Sequence, residues 1–404
     1  MEILGKHIVI QKGKMPKNLS DEPSKKFIFP YVDIKAFEKK NIQRYTDGEK
    51  CLLCNDNDLL IVWDGARCGL VGKAIRGAVG STLAIIRPKE TLYKEYVYYF
   101  IKSQFRTFNT RVKGVGIPHL DPLIVHHSSL IIPSLPEQHR IVAKIEELFS
   151  DLDNGIENLK TAQQQLKTYR QAVLKYAFEG RFTNKVKGNP PKSGGRKERE
   201  SEKGELPEGW KWVKLGEVSE SCLGKMLDKQ KNQGDYQPYL RNINVRWGNF
   251  DLSDLSEMKF EKNEKERFGI KNGDLVICEG GEPGRTAIWK DETKNMMIQK
   301  ALHRVRFDST VITKFFFHYL VYMASTKTLE QYFTGTTIKH LTGQSLKKIS
   351  FPLPSVIEQK QIVQEIESRL SVCDKVEETI TASLQQSESL RQSILKKAFE
   401  GKLV

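Results

Sequence analysis

A cysteine pair and an Asn-Pro-Pro run are the residues of this chain whose spacing could carry chemistry. Cys51 and Cys54 supply two of the four ligands that a structural zinc ion needs, and the second half of the chain has no counterpart. Asn189-Pro190-Pro191 is followed by Lys192, where an aromatic side chain would be needed to stack on an extruded base. Neither a Gly-x-Gly-x-x-Gly nor a P-loop motif occurs. We therefore predict no catalytic residue, metal or cofactor in this chain.

The composition favours a polyanionic partner. The chain has 404 residues and a mass of 46.3 kDa, enough for two or three domains. Lysine and arginine number 65 against 50 acidic residues, which gives a net charge of +15 and is typical of proteins that bind nucleic acid. No apolar run approaches the roughly 20 residues of a membrane span, and the N-terminus lacks a signal-peptide core. Six cysteines indicate a reducing compartment, so we expect a cytosolic protein.

The chain repeats itself at an offset of 221 residues. Glu137-Gln138-x-x-Ile141-Val142 recurs as Glu358-Gln359-x-x-Ile362-Val363, and 19 of the 44 positions from 137 to 180 are identical to their counterparts, against roughly 3 expected by chance. Gly114-x-x-Ile117-x-His119-Leu120 recurs as Gly335-x-x-Ile338-x-His340-Leu341. Each half therefore has a variable N-terminal part, the front, and a better preserved C-terminal part, the back.

The backs are predicted to be long helices at 134–180 and 354–404, with Gly180 and Gly401 as C-terminal caps. A narrow apolar seam at 3–4 spacing is typical of a coiled coil, and 44 helical residues span about 66 Å. The helices either pair with each other inside the chain, antiparallel if a two-fold axis relates the halves, or form a dimerisation stalk. The seam residues that we predict to mediate helix contacts with partners are Ile141, Ile145, Leu152, Leu159, Ile362, Ile366, Leu370 and Ile380.

The fronts, 1–133 and 205–353, are predicted to be mixed α/β heads joined by a linker at 181–204. Strands are expected at Leu59–Trp63, Leu83–Ile86, Leu275–Cys278 and Leu302–Phe307, and aromatic-rich helices at Tyr93–Phe108 and Ile312–Phe333.

Two loops in each head are candidates for contact with nucleic acid. One is 63–69, matched loosely by 279–285; its glycines allow close backbone approach and its arginines suit phosphate or guanine. The other holds the repeated histidine, for which we see no repeated catalytic partner; ordinary turn chemistry is the alternative for both loops. With further basic residues of the heads, the candidates are Arg67, Lys73, Arg76, Lys113, His119, Arg241, Arg246, Arg285, Thr336, Thr337, Lys339 and His340.

The order, spacing and duplication of the sequence motifs resemble those of the specificity subunits of type I restriction-modification systems. The resemblance covers essentially the whole chain. The second half opens with Leu206-Pro207-Glu208-Gly209-Trp210 and Leu215-Gly216-Glu217, enters its helix at Pro354 through Glu358-Gln359, and closes with Leu395-Lys396-x-Ala398-Phe399-Glu400-Gly401-Lys402-Leu403. The first half repeats the last two features, and has only a shortened opening at Leu4-Gly5.

This resemblance implies an α+β protein with two target recognition domains in a pseudo-two-fold arrangement, separated by two long antiparallel coiled-coil helices. Each domain would read one half of a split double-stranded DNA site. The helices would set the spacing and dock two methyltransferase subunits, while motor-nuclease subunits complete the complex. S-adenosylmethionine, ATP and Mg²⁺ are expected on those partner subunits only.

Two other hypotheses remain open from the sequence. The chain could be a self-sufficient DNA-modification enzyme with its chemistry hidden in a head, or a coiled-coil adaptor that binds no DNA.

Overall fold

The protein has an α+β fold made of two compact units. The computed structural model describes residues 1–114, 116–183, 206–228, 230–291 and 295–404. Unit 1 comprises Met1–Thr161 and Ile380–Val404, and unit 2 comprises Ala162–Thr379. Each unit contains one lobe, residues 1–133 or 206–353, together with a segment of both long helices. The predicted linker, 181–204, lies outside the described residues from 184 onward, as does Asn189-Pro190-Pro191.

Lobe 1 is built from short strands and short helices, after which the first long helix begins. Its strands are β1 (Glu2–Ile3), β2 (Ile8–Lys12), β3 (Leu19–Ser20), β4 (Phe29–Val32), β5 (Tyr45–Thr46), β6 (Leu53–Cys54), β7 (Leu59–Val62), β8 (Val71–Lys73), β9 (Gly77–Val79), β10 (Leu83–Pro88) and β11 (Ser129–Leu130). Its helices are α1 (Ile34–Lys39), α2 (Lys94–Ser103), α3 (Phe105–Thr110) and α4 (Pro122–His126), followed by the long helix α5 (Leu135–Phe178).

Lobe 2 follows the same plan. Its strands are β12 (Lys211–Lys214), β13 (Ser219–Leu223), β14 (Asp235–Leu240), β15 (Val245–Arg246), β16 (Asn249–Phe250), β17 (Ser256–Phe260), β18 (Leu275–Cys278), β19 (Thr286–Ile288), β20 (Met297–Ile298), β21 (Leu302–Phe307) and β22 (Ser350–Leu353). Its helices are α6 (Lys262–Phe268), α7 (Thr313–Ser325) and α8 (Gly343–Lys347), followed by the long helix α9 (Val356–Phe399).

The central sheets of the two lobes have the same strand order. Lobe 1 has the antiparallel order β2-β10-β7-β8 and lobe 2 has β13-β21-β18-β19. A parallel pair accompanies each sheet, β4 with β9 and β14 with β20. The lobes differ between these landmarks, because lobe 1 has α1, β5 and β6 where lobe 2 has β15, β16, β17 and α6. The predicted duplication of the heads is therefore confirmed in their common core.

The apolar runs in the central strands explain why these sheets are covered on both faces. Alternate residues of a strand point to opposite faces. Leu59 and Ile61 of β7 thus pack into one cluster with α2 and the long helices, while Leu60 and Val62 pack into another beneath β4 and β9. The corresponding run Leu275–Cys278 of β18 divides between two clusters in the same way.

The core of each lobe is completed by the end of a long helix. In unit 1, the ring of Phe399 at the end of α9 lies 5.1 Å from Tyr96 and 5.3 Å from Phe100 of α2. In unit 2, the equivalent Phe178 at the end of α5 lies 5.4 Å from Phe315 and 5.0 Å from Tyr319 of α7. Each lobe therefore packs against the helix end that comes from the other repeat.

Within each unit the two helix segments run antiparallel. In unit 2, Arg170 of α5 donates to Asp374 at 2.7 Å and to Glu377 at 2.9 Å of α9, while Phe182, just beyond α5, lies under the guanidinium of Arg369. In unit 1, the equivalent Arg391 of α9 pairs with Asp153 of α5 and lies 4.7 Å from the ring of Phe149. The antiparallel pairing that we expected is thus confirmed in each unit, and the pairing of arginine with aspartate is reciprocal.

A buried glutamine ties each lobe to the start of its own long helix. The Gln359 carboxamide accepts from the Ile312 N–H at 2.8 Å and donates to the carbonyls of Thr310 and Pro354. Gln138 makes the same three bonds with Tyr93, Thr91 and Pro133. Both side chains are fully buried. Their hydrogen bonds satisfy backbone groups that would otherwise be buried without a partner.

Most predicted elements are confirmed, with two corrections. The four predicted strands and both long helices are present, and Gly180 and Gly401 adopt left-handed φ values of 70° and 71° at the helix ends. However, the helices predicted at Tyr93–Phe108 and Ile312–Phe333 are not continuous. The first ends at Ser103 and the second at Ser325, where each serine hydroxyl donates to the carbonyl three residues earlier and competes with the helical hydrogen bonds.

One buried polar contact differs between the units. Tyr99 of α2 donates to Glu146 of α5 at 3.3 Å, whereas the equivalent position of α7 is His318, whose Nε2 lies 3.9 Å from Glu367. Only 6% of His318 is exposed, and burial lowers the pKa of this imidazole to about 4 even though Glu367 favours the charged form.

We expect Gln359→Met to destabilise unit 2. Methionine has nearly the same length but leaves the Ile312 N–H and two carbonyls unsatisfied, which costs about 3 kcal/mol of unfolding free energy. The measurement is urea unfolding, with Gln361→Met at an exposed position of the same helix as the matched control. Equal effects of the two substitutions would show that the buried bonds contribute nothing.

We expect His318→Tyr to reduce the loss of stability in acid. In the unfolded chain a histidine takes up a proton below about pH 6.5, whereas folded His318 stays neutral down to about pH 4. Folding is therefore favoured above pH 6.5 and this contribution is lost as the pH falls, by about 2 kcal/mol between pH 6.5 and pH 5. The check is unfolding free energy against pH. The reciprocal Tyr99→His should add a slope to unit 1, and parallel pH profiles for all three proteins would contradict the assignment.

Candidate nucleic-acid interface

The two loops that the sequence singled out in the first head lie side by side in lobe 1. The Leu120 N–H donates to the Trp63 carbonyl at 2.7 Å, and the Gly65 N–H donates to the Pro118 carbonyl at 2.8 Å. The His119 Nδ1 lies 2.7 Å from Asp64 Oδ1, and the same carboxylate accepts from Lys12 at 2.9 Å. Segments about 50 residues apart in sequence thus form one continuous surface.

Lobe 2 repeats this juxtaposition with different side chains. The Leu341 N–H donates to the Glu279 carbonyl at 2.8 Å, as Leu120 does to Trp63. The position of Asp64 is taken by Gly280, where a Cβ atom would lie 3.1 Å from the His340 Nδ1. The two histidines therefore occupy equivalent places, and of the two only His119 has a carboxylate within hydrogen-bond distance among the described residues.

The loop before each histidine is closed by a reciprocal pair of backbone hydrogen bonds. Lys113 and His119 exchange bonds of 2.9 and 2.8 Å, and Thr334 and His340 exchange bonds of 2.8 and 2.9 Å. The glycine that opens the second loop, Gly335, has a φ of 90°, and a Cβ there would lie 2.2 Å from the Ile338 carbonyl oxygen. This turn therefore requires glycine.

Side chains behind the loops hold them in place. In lobe 1, the buried thiol of Cys68 lies within hydrogen-bond distance of the carbonyls of Gly65 and Pro118, one from each loop, at 2.9 and 3.2 Å. In lobe 2, Glu282 accepts from the indole N–H of Trp247 at 2.7 Å and from Arg285 at 2.8 Å. The β15–β16 hairpin that carries Trp247 is thereby attached to the 279–285 loop.

The two arginines of the first loop pair are not equivalent. The Gly69 N–H donates to Val62 and the Gly284 N–H donates to Cys278, which aligns Gly284 with Gly69 and places Arg285 at the position of Leu70. Arg285 is largely buried and donates to the Asn242 carbonyl, so its side chain supports the loop from behind. Arg67 is exposed and pairs with Glu38 at 3.0 Å.

The remaining basic candidates are distributed over the lobes. Lys113, Arg241 and Arg246 pair with acidic side chains at 3.0, 2.8 and 3.5 Å, and the Lys113 bond lowers the pKa of Asp121. Lys339, Thr336 and Thr337 are exposed on the loop beside His340. Lys73 and Arg76 are exposed on and after β8, and within the described ranges no side-chain hydrogen bond or ion pair joins them to the paired loops.

The seam residues predicted to bind partners are all buried or half-buried, and their contact with a partner stays a prediction. Ile141, Ile145, Ile362, Ile366 and Ile380 are buried. Leu152, Leu159 and Leu370 are half-buried along the same seam. Burial along the seam holds the helix segments and lobes together.

Sequence reasoning missed several residues of this surface. Lys12 and Glu282 contribute ionic contacts, and Ile117, Ile338 and Trp247 are exposed apolar side chains. Only the two isoleucines carried a sequence signal, since they recur at the same offset of 221. Exposure of an apolar side chain depends on tertiary packing and cannot be read from residue type.

Metal and membrane features are absent from the part of the chain that the structure describes. It contains no group of three or more His, Cys, Asp or Glu side chains that could hold a metal ion. The thiol of Cys54 donates to the Ile75 carbonyl and that of Cys51 to Glu49, so each has its own backbone partner. Across those same residues no helix is both long and apolar enough to span a membrane.

The decisive comparison is with protein families. The model of the type I restriction modification DNA specificity domain matches residues 6–168 and again residues 207–386. The chain belongs to this family. Each match covers one lobe together with much of the long helix that follows it, so the repeat that we found in the sequence is a repeat of the family domain.

Curated relatives match nearly the full length. The MjaVIII specificity subunit of Methanocaldococcus jannaschii is 26% identical over 99% of this chain and 92% of its own length. The EcoBI specificity subunit of Escherichia coli is also 26% identical, over 93% and 80%. Both are specificity subunits of type I restriction enzymes.

Solved structures share the fold. A chain from a type I R-M system, determined to describe its complex assembly and conformational transition, covers 99% of this chain and 97% of its own length with a TM-score of 0.74 and 20% identity. The HsdS subunit from Thermoanaerobacter tengcongensis has a TM-score of 0.61 and 19% identity over 99% and 96%.

Gly335→Ala tests whether the closed loop can accommodate a Cβ atom at this position. The added methyl group meets the Ile338 carbonyl, so we expect the Thr334–His340 pair to open and the whole protein to lose about 1–2 kcal/mol of stability. Hydrogen exchange of a peptide covering the loop should accelerate. The control is Gly209→Ala, where φ is 84° but the Cβ meets no atom within 4 Å. Unchanged exchange in the Gly335 variant would contradict this account.

Proposed function

We propose that this chain is the specificity subunit of a type I restriction-modification complex and that each lobe reads one half of a bipartite DNA site. The observation that carries the proposal is the double match to the DNA specificity domain, one match on each lobe. Two lobes with one sheet order and different attached segments suit two half-sites of different sequence. The net charge of +15 supplies the attraction to the phosphates that such binding requires.

The features that the two lobes share are suited to positioning the protein on DNA, and the segments in which they differ are suited to reading the base sequence. Phosphate contacts position a protein on DNA, whereas contacts to base edges specify the sequence. We assign positioning to the repeated loops that end at His119 and His340. Reading is assigned to the segments where the lobes differ, α1 to β6 in lobe 1 and β15 to α6 in lobe 2, together with the neighbouring 63–69 and 279–285 loops.

The long helices would serve as spacer and as a docking platform. Each has 44 residues, part in each unit, and in this proposal its length sets the spacing between the half-sites. Their exposed outward faces are available to two methyltransferase subunits, and motor-nuclease subunits would join through that assembly. In this proposal the chain itself is not catalytic, and its partners bind S-adenosylmethionine, ATP and Mg²⁺.

A genome-wide map of methylated adenines, with and without the gene, tests this function. We expect one bipartite motif to lose its methylation when the gene is removed and to regain it when the gene is restored. A control allele with Ile28→Ala, at an exposed position of lobe 1 before β4, should restore the motif fully. An unchanged map would exclude the role in modification.

The same map tests the helices as a spacer. Deleting 157–163 and 378–384 removes seven residues from each helix at equivalent positions and keeps both arginine–aspartate pairs. At 1.5 Å per residue the helices shorten by about 10 Å, so the gap between the half-sites should shrink by about 3 base pairs. The half-site sequences should not change, because the lobes are intact. A retained spacer in a folded, active variant would contradict the role of the helices.

A further inference from the structure

Both lobes present an isoleucine to solvent at the same place. Ile117 is 62% exposed and Ile338 is 66% exposed, and each lies two residues before the repeated histidine. Isoleucine is usually buried in folded proteins, and full burial of such a side chain contributes about 1.5–3 kcal/mol. Neither isoleucine gains the full stabilisation that burial would give, and the two loops correspond at the offset of 221.

Both isoleucines lie in loops that are anchored at their bases. The reciprocal backbone bonds between Lys113 and His119, and between Thr334 and His340, close the two loops at their bases. Directly after each base, Leu120 and Leu341 are buried in the cores of their lobes. The exposed side chains therefore project from loops with anchored bases, which limits the conformational freedom that they lose on entering a partner.

The presence of an exposed isoleucine at the same place in both lobes indicates a contact that the two half-sites have in common. The lobes differ in the segments attached to their sheets, as expected for surfaces that read different sequences. A surface feature kept in both lobes must instead meet something that is the same on both sides. That can be the geometry of the duplex itself, or a methyltransferase subunit bound once on each side.

The surroundings of the isoleucines favour the duplex. Neither 113–119 nor 334–340 contains an acidic residue, and each contains a lysine and a histidine. Lys339 next to Ile338 is exposed, although Lys113 pairs with Asp121 outside its loop. The loops also adjoin surfaces that differ between the lobes, with Asp64 beside His119 and Gly280 beside His340. A protruding aliphatic side chain in a basic loop has the chemistry of the apolar wedges that enter a DNA groove and partly unstack a base step.

We propose that Ile117 and Ile338 are wedges that enter a groove of the DNA at the equivalent base step of the two half-sites. This inference rests on the proposed function and names the residues that make the contact common to both half-sites. The isoleucines add affinity and deform the duplex, while neighbouring residues of each lobe read the sequence. Each wedge acts only in the half-site that its own lobe binds.

The test uses the full chain assembled with methyltransferase subunits and a duplex carrying the motif found by methylation mapping. Single 2-aminopurine substitutions along each half-site report local unstacking as increased fluorescence. We expect one responsive step in each half-site. Ile117→Ala should abolish the signal in the half bound by lobe 1 only, and Ile338→Ala in the other half only. Each should weaken binding about tenfold, which corresponds to about 1.4 kcal/mol.

Matched variants separate a wedge from general surface effects. Ile117→Leu and Ile338→Leu keep an aliphatic side chain and should retain both fluorescence and affinity. Ile28→Ala removes an isoleucine of lobe 1 that is 59% exposed outside the paired loops, and should change neither.

The outcomes distinguish failure of the wedge from failure of the proposed function. Normal fluorescence and affinity in the two alanine variants would overturn the wedge and leave sequence-specific binding intact. Loss of methyltransferase association in these variants, with unchanged fluorescence, would overturn it in favour of a protein contact. Failure of the wild-type complex to bind the motif would overturn the proposed function itself.

Discussion

Each lobe of this protein depends on a helix end that the other half of the sequence provides. Phe399 completes the aromatic cluster on α2 in unit 1, and Phe178 does the same on α7 in unit 2. A 44-residue amphipathic helix cannot remain stable in water with its apolar seam exposed, because most helical stability in proteins comes from tertiary packing. The exchange of helix ends buries the seam and completes the lobe cores in the same contacts, so the two halves fold as interdependent parts.

Polar contacts give this apolar arrangement a single register. Apolar seams can slide by a turn at modest cost, whereas Arg170 and Arg391 reach their aspartates in one antiparallel register only. Gln138 and Gln359 then fix where each lobe meets its own helix, since a displaced carboxamide would leave buried backbone groups unsatisfied. These contacts are the same in both units, as expected if both lobes must be presented to their ligand in the same way. The equivalent buried position near the start of each long helix is Tyr99 in lobe 1 and His318 in lobe 2. Each lies beside the equivalent glutamate, Glu146 or Glu367.

The candidate interface combines this conserved framework with local differences. The turns that end at His119 and His340 have matching backbone bonds, but the residue beside the histidine is Asp64 in one lobe and Gly280 in the other. A shared backbone can contact the duplex geometry, which is the same at both half-sites. Side chains that differ between the lobes can contact the base edges, which differ between the half-sites. The exposed isoleucines belong to the shared part, whereas Trp247 and the β15–β16 hairpin belong to lobe 2.

The sequence by itself determined the duplication, the two long helices and the central strands, because local periodicity and residue type govern these features. Leu275–Cys278 is an apolar run wherever it lies, and the repeat from 137 to 180 is visible without coordinates. The sequence also identified the loops but not their arrangement. Only the tertiary structure decided that Asp64 meets His119, that Arg285 supports its loop from within, and that the predicted partner-binding isoleucines are buried. These outcomes depend on contacts between segments far apart in the chain, and whether a side chain is buried or exposed is settled by the segments that pack against it.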